Sequence, residues 1–233
     1  GVFFGGYVVV HLLTHASVLG GAAMFQMNVA RIHSLGPALP IVEWTFLFIP
    51  ILFHMAVGWA IIFGAVPNIS EYRFVSNFRY TLQRVTAIIL FFFIIGHVLH
   101  MHHLGAAFGG ARFKPDFASS SLAEALQSAL WIQIFYAAGV ISAAFHLGNG
   151  FWTAGITWGV WTTPAAQKRA NYIAAAFGLF VTLVGIMAVV GAVRLDVPAA
   201  QHIEERMLIE KKRLQGEVVD VPATEGNSKA HEE

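Results

Sequence analysis

The chain has 233 residues, of which 57% are apolar and only 12% charged. Soluble domains carry about 25% charged residues, so a water-soluble globular protein is excluded, and one membrane-embedded domain with a polar tail accounts for the length. The net charge of +1 offers no basic surface for nucleic acid, and the lack of cysteine removes disulfides, thiolate metal sites and iron–sulfur clusters from this chain.

The chain opens on Gly1 rather than Met and shows no cleavable-signal pattern. Gly1 to Met27 is a first apolar segment without charge, holding His11 and, one turn later, His15. Its small residues Gly5, Gly6, Gly20, Gly21, Ala22 and Ala23 suit close approach by another helix or a flat cofactor. Arg31 to Val42, with Pro37 and Pro40, predicts a loop. Val42 to Val66 predicts a second helix, kinked because Pro50 lies four residues before His54. A polar loop, Pro67 to Arg79, leads to a third helix that reaches about Leu104. From Val85 to Ala111 there is no Asp, Glu, Lys or Arg, enough for a bilayer-crossing helix of about 20 residues. A Gly- and Ser-containing loop follows, and a fourth helix is predicted from about Ala123, through His146, on to Trp161. Lys168 and Arg169 close the next loop. Ala170 to Val193 predicts a fifth helix without histidine or charge. From Arg194 the chain is a charged tail of mixed sign.

Lys and Arg asymmetry predicts orientation. The connections after helices two and four hold Arg73, Arg79, Arg84, Lys168 and Arg169, against Arg31, Arg112 and Lys114 after helices one and three. Five against three places the first set, and the N-terminus, on the cytoplasmic side. The six basic residues of the tail are balanced by acids.

Four apolar stretches each carry one histidine of interest: His11, His54, His97 and His146. A polar ring in hydrocarbon costs several kcal/mol, roughly, unless something satisfies it. Each could bond a backbone carbonyl across the bundle. Four on four different helices are better explained together, as two pairs of axial nitrogens for haem iron. A zinc or copper site is a further alternative; the close spacing of His100, His102 and His103 suits one, although they trail the apolar run at a membrane edge. His15 shares a face with His11, and spacing decides neither between these two nor which helices pair. Arg84 and Thr86 lie at the inner end of the third helix, where Arg84 could offer a fork of donors to a haem propionate or a quinone carbonyl, or simply anchor the helix. Gln83 and Trp158 are weaker candidates. Glu43 opens the second helix, as a proton relay or as a dipole partner.

The runs Leu82-Gln83-Arg84-Val85-Thr86 with His97, Phe48-Ile49-Pro50-Ile51-Leu52-Phe53-His54, and Phe145-His146-Leu147-Gly148-Asn149-Gly150-Phe151-Trp152 followed by Thr157-Trp158-Gly159 and Thr163-Pro164 resemble one family. It is the five-helix dihaem cytochrome b anchor of succinate:quinone oxidoreductase (complex II) and fumarate reductase. The likeness runs from Gly1 to about Val193. It implies an all-α integral membrane bundle of five transmembrane helices, with residues 1–194 as the dihaem domain and 195–233 as a charged C-terminal tail. It implies His11, favoured over His15, paired with His97 at an outer haem, and His54 paired with His146 at an inner one. It raises Arg84 and Thr86 as cofactor- or quinone-binding residues.

The function this implies is a multi-pass anchor in the cell inner (plasma) membrane, N-terminus cytoplasmic. It would pass electrons from an iron–sulfur subunit and a flavoprotein subunit of complex II through two b haems to quinone, with menaquinone expected. Succinate would be oxidised on the flavoprotein, because this chain holds no dinucleotide fingerprint. Anchors of fumarate or nitrate reductases are the neighbouring alternatives. A haem-free, proton-relaying transporter is the alternative from another class; it would show buried carboxylates or paired broken helices, and neither stands out.

Overall fold

The computed structural model describes residues 1–67, 69–104 and 112–217. Helices α1 (Val2–Ala16), α2 (Ala22–His33), α3 (Leu39–Glu43), α4 (Ile49–Phe63), α5 (Val75–Val98), α6 (Ala118–Gln127), α7 (Leu130–Thr157), α8 (Pro164–Arg194) and α9 (Val197–Leu214) follow one another, with no strand among the described residues. Five spans are long and apolar enough to cross a membrane: Val2–Gly20, Gly36–Phe63, Val75–His102, Leu130–Thr157 and Pro164–Arg194. The protein is an all-α, five-span bundle, as the sequence predicts.

The element ends differ from the sequence reading for identifiable reasons. The first segment breaks at Gly21, whose φ of 99° is a conformation that glycine adopts cheaply. The chain beyond it, read as the end of the first span and a loop, folds as the separate helix α2. The second span starts earlier than Val42, and the expected irregularity at Pro50 is a π-helical turn, Trp44–Phe48, directly before it. Proline lacks an N–H and clashes with the carbonyl four residues back, and the widened turn accommodates both. Glu43 therefore lies inside the span rather than at its opening. The fourth span begins at Leu130, because extended Ala129 (φ −162°, ψ 149°) separates it from α6, and it ends at Thr157. The fifth span begins at Pro164, with Thr163 accepting the Ala166 N–H at 3.2 Å. An N-cap threonine followed by proline is a strong start signal, and it places Lys168 and Arg169 on the helix rather than in a loop.

Two kinds of packing hold the molecule. Within the bundle, α7 and α8 meet on small residues. A Cβ added at Gly148 would lie 3.1 Å from the Ala174 carbonyl, and one at Gly178 would lie 3.4 Å from that of Ala144. Such close backbone approach is how helices associate where lipid removes the hydrophobic drive. At one end of the bundle, α2, α6 and α9 form a cap with an apolar core of Val18, Phe25, Val29, Leu122, Leu126 and Ile132, together with Tyr136 at the top of α7. Here water is near and apolar burial stabilises in the ordinary way. The 195–214 part of the chain is thus a folded helix on the cap. Its Glu204, 0% exposed, accepts hydrogen bonds from the backbone N–H groups of Ser119 and Ser120 and from the Ser120 hydroxyl. Gln26 links α2 to the same strip, donating to the Pro115 carbonyl and accepting from Ala118 N, each at 2.8 Å.

Candidate functional site

The second span stands apart from this framework. α4 packs only lightly on its neighbours α1 and α5, whereas α7 meets α5 and α8 along its length. His54 is exposed on the protein's own surface, yet its ring centre lies 6.1 Å from that of His146 on α7, with the planes at 88°. One turn beyond His54, a Cβ on Gly58 would meet no protein atom within 4 Å. Nearer the cap, His11 on α1 and His97 on α5 form a second pair, with centres 5.9 Å apart and planes at 82°.

These spacings have a chemical meaning. An imidazole nitrogen lies about 2.0–2.1 Å from a metal such as zinc and roughly 1.1 Å from its own ring centre, so two imidazoles on opposite sides of one metal have centres roughly 6.3 Å apart. Both pairs approach that value. His15 lies beside His11, its ring centre 4.5 Å away, and packs on Phe25 at 5.2 Å.

Three of the four rings have a hydroxyl at Nδ1. Tyr7 Oη lies 3.4 Å from His11 Nδ1, Tyr136 Oη 3.2 Å from His97 Nδ1, and Thr86 Oγ1 3.4 Å from His146 Nδ1. A partner at Nδ1 fixes the ring and leaves Nε2 for a metal. Tyr136 also lies 3.0 Å from His100 Nδ1. Thr86 is buried and directs its own proton to the Leu82 carbonyl at 2.7 Å. Arg84 donates from Nη1 to the Tyr80 carbonyl at 2.8 Å and lays its guanidinium 3.3 Å over the Tyr80 ring. Its Nε is buried without a hydrogen-bond partner among the described residues. An orphaned donor of this kind suits an acidic group of a bound cofactor.

Gln83, a weaker candidate from the sequence, donates to the His146 carbonyl at 3.2 Å and accepts from Asn149 Nδ2 at 2.7 Å. Sequence reasoning missed Arg79 and the two asparagines that hold it. Arg79, read as a loop residue, lies on α5 and donates to Asn149 at 2.8 Å and to Asn171 of α8 at 2.6 Å. The signal was Asn149 itself, a polar side chain inside an apolar run three residues after His146. Trp158 sits exposed in the turn after α7 and joins neither pair. Among the described residues no group of three or more His, Asp or Glu side chains could hold a metal ion. The His103 side chain lies outside them.

A five-span helical membrane bundle with two facing histidine pairs is the class that fold and site define. The chain is 31% identical over 185 residues to the succinate dehydrogenase cytochrome b558 subunit of Bacillus subtilis (strain 168), across 79% of this chain and 88% of that one. It matches no protein-family model and no solved structure. The chain belongs to the family of succinate dehydrogenase cytochrome b subunits, membrane anchors of complex II.

Proposed function

We propose that this chain carries electrons from an iron–sulfur subunit, itself supplied by a flavoprotein subunit, through two b haems to membrane quinone, which we assign as menaquinone. The observation that supports this most is the spacing of the two histidine pairs, 5.9 and 6.1 Å between ring centres. In this reading His11 and His97 hold the outer haem, and His54 and His146 the inner one. Each haem, when bound, supplies a one-electron carrier with two imidazole ligands.

The chain's own residues set up both sites. With Nε2 directed to iron, Nδ1 must keep the ring proton. His146 Nδ1–H then donates to Thr86 Oγ1, whose own proton already points at Leu82. His97 Nδ1–H donates to Tyr136 Oη, and the Tyr136 proton goes on to His100 Nδ1. Arg84 would offer its unsatisfied Nε to a haem propionate or quinone carbonyl. We assign the electron-carrying role to residues 1–194 and the capping of the outer end to the helix beyond. We place the N-terminus in the cytoplasm and the cap outside the plasma membrane, from five basic residues in the connections at the uncapped end against three in those at the capped one.

The test is a haem count. Pyridine haemochrome analysis of the purified complex should give two protohaems per chain. His54→Ala or His146→Ala should remove one, and His11→Ala or His97→Ala the other. A count of one or zero in the unmodified complex overturns the reading; loss of a haem from His15→Ala but not from His11→Ala overturns the choice of ligand in α1. Extraction of the purified complex should yield menaquinone.

A further inference from the structure

Arg79 is the odd charge in this bundle. It lies among three spans, half-buried, one turn into α5. Its guanidinium donates from Nε to Asn149 of α7 and from Nη1 to Asn171 of α8, and it sits 4.1 Å over the Trp152 ring. All three partners are neutral. The ion pairs among the described residues are Lys211 with Asp116 and Arg213 with Glu210, both on or against the cap. A guanidinium stays protonated in proteins, so Arg79 is a fixed positive charge without a carboxylate to cancel it. A merely structural cross-link of three helices could use an amide and avoid the cost of drawing a charge out of water.

The charge is also coupled to the inner histidine. From Arg79 the hydrogen bonds run to Asn149, from Asn149 Nδ2 to Gln83 Oε1 and from Gln83 Nε2 to the carbonyl of His146. Asn149 is one helical turn from His146. No comparable contact joins a basic side chain to the His11–His97 pair among the described residues.

We infer that Arg79 raises the electron affinity of the inner centre, acting as a positioning and potential-setting residue that touches neither ligand ring. Reduction of a ferric centre adds one negative charge, and a nearby positive charge in a low-dielectric setting favours the reduced form. The inner site, which faces the electron donor, is thereby made the better first acceptor. This rests on the assignment of His54 and His146 as the inner pair's ligands.

The experiment is a redox titration of both haems in the membrane-bound complex, the inner haem being the one lost in His54→Ala. Arg79→Gln should weaken the inner centre's electron affinity about tenfold, which for one electron is about 59 mV, and leave the outer haem where it was. Arg79→Lys, which keeps the charge, should stay within about threefold of the unmodified complex. Asn171→Asp places a carboxylate on the guanidinium without removing it and should reproduce the Arg79→Gln shift, so the inference is tested even if Arg79→Gln fails to assemble. An inner haem that is present and unmoved in either Arg79→Gln or Asn171→Asp overturns the inference. Equal shifts in Arg79→Gln and Arg79→Lys overturn it too, since geometry rather than charge would be responsible. A His54→Ala complex that keeps both haems overturns the ligand assignment instead.

Discussion

Tyr136 has one proton and stands between two histidines, at 3.2 Å from His97 Nδ1 and 3.0 Å from His100 Nδ1. If His97 gives its Nδ1 proton to this oxygen, the imidazole becomes a more basic ligand and favours the oxidised metal. Tyr136→Phe should therefore raise the midpoint potential of the outer haem, leave the inner one unchanged and keep both haems in place. A fall, or no movement, in the redox titration would contradict the assigned direction of that hydrogen bond. The histidines themselves were legible because a lone polar ring in a long apolar run stands out. Their hydroxyl partners were not. Tyr7, Thr86 and Tyr136 are ordinary residues in such helices, and only the rotation of one helix against another brings Tyr136 of α7 to His97 of α5. Arg79 was hidden for a different reason: a basic residue at the edge of an apolar run reads as a solvated anchor, and nothing local reveals that two asparagines on other spans await it.

At the scale of elements, the five spans followed from length and apolar composition, whereas their ends did not. Gly21, Ala129 and the Thr163-Pro164 start moved each boundary by several residues, through turn conformation and capping that an apolar run does not encode. The helix α9 was the larger surprise. Its sequence is polar and mixed in charge, as a solvated tail would be, but Glu204 is drawn into the cap because the first turn of α6 presents unsatisfied N–H groups that a carboxylate answers. Glu204→Ala leaves the N–H groups of Ser119 and Ser120 buried without acceptors, at a cost of about 1–3 kcal/mol. The expected result is earlier thermal release of α9, seen as protease cleavage within residues 197–214 at temperatures where the unmodified protein resists. Equal resistance would mean that apolar contacts alone secure the helix.

For the whole molecule, the two ends differ in kind: one is capped by three helices, while the other is bare and carries Arg73, Arg79, Arg84, Lys168 and Arg169. With the bare end in the cytoplasm, a cysteine placed at exposed Ser76 should escape an impermeant thiol reagent in intact cells, and one at exposed Gln215 should react. The opposite pattern would invert the molecule. The loosely held second span has a consequence of its own for biogenesis. A helix inserted by the translocon is held by its neighbours only as far as it touches them, and α4 touches α1 and α5 only lightly. The other four spans can come together through the small-residue seam of α7 and α8 and through the cap. On the proposed ligand assignment, the second closes upon its neighbours once a group lies between His54 and His146. Prosthetic-group supply then doubles as a folding checkpoint: a cell short of haem would accumulate a four-span intermediate with its second span still adrift in lipid, the form most open to membrane proteases.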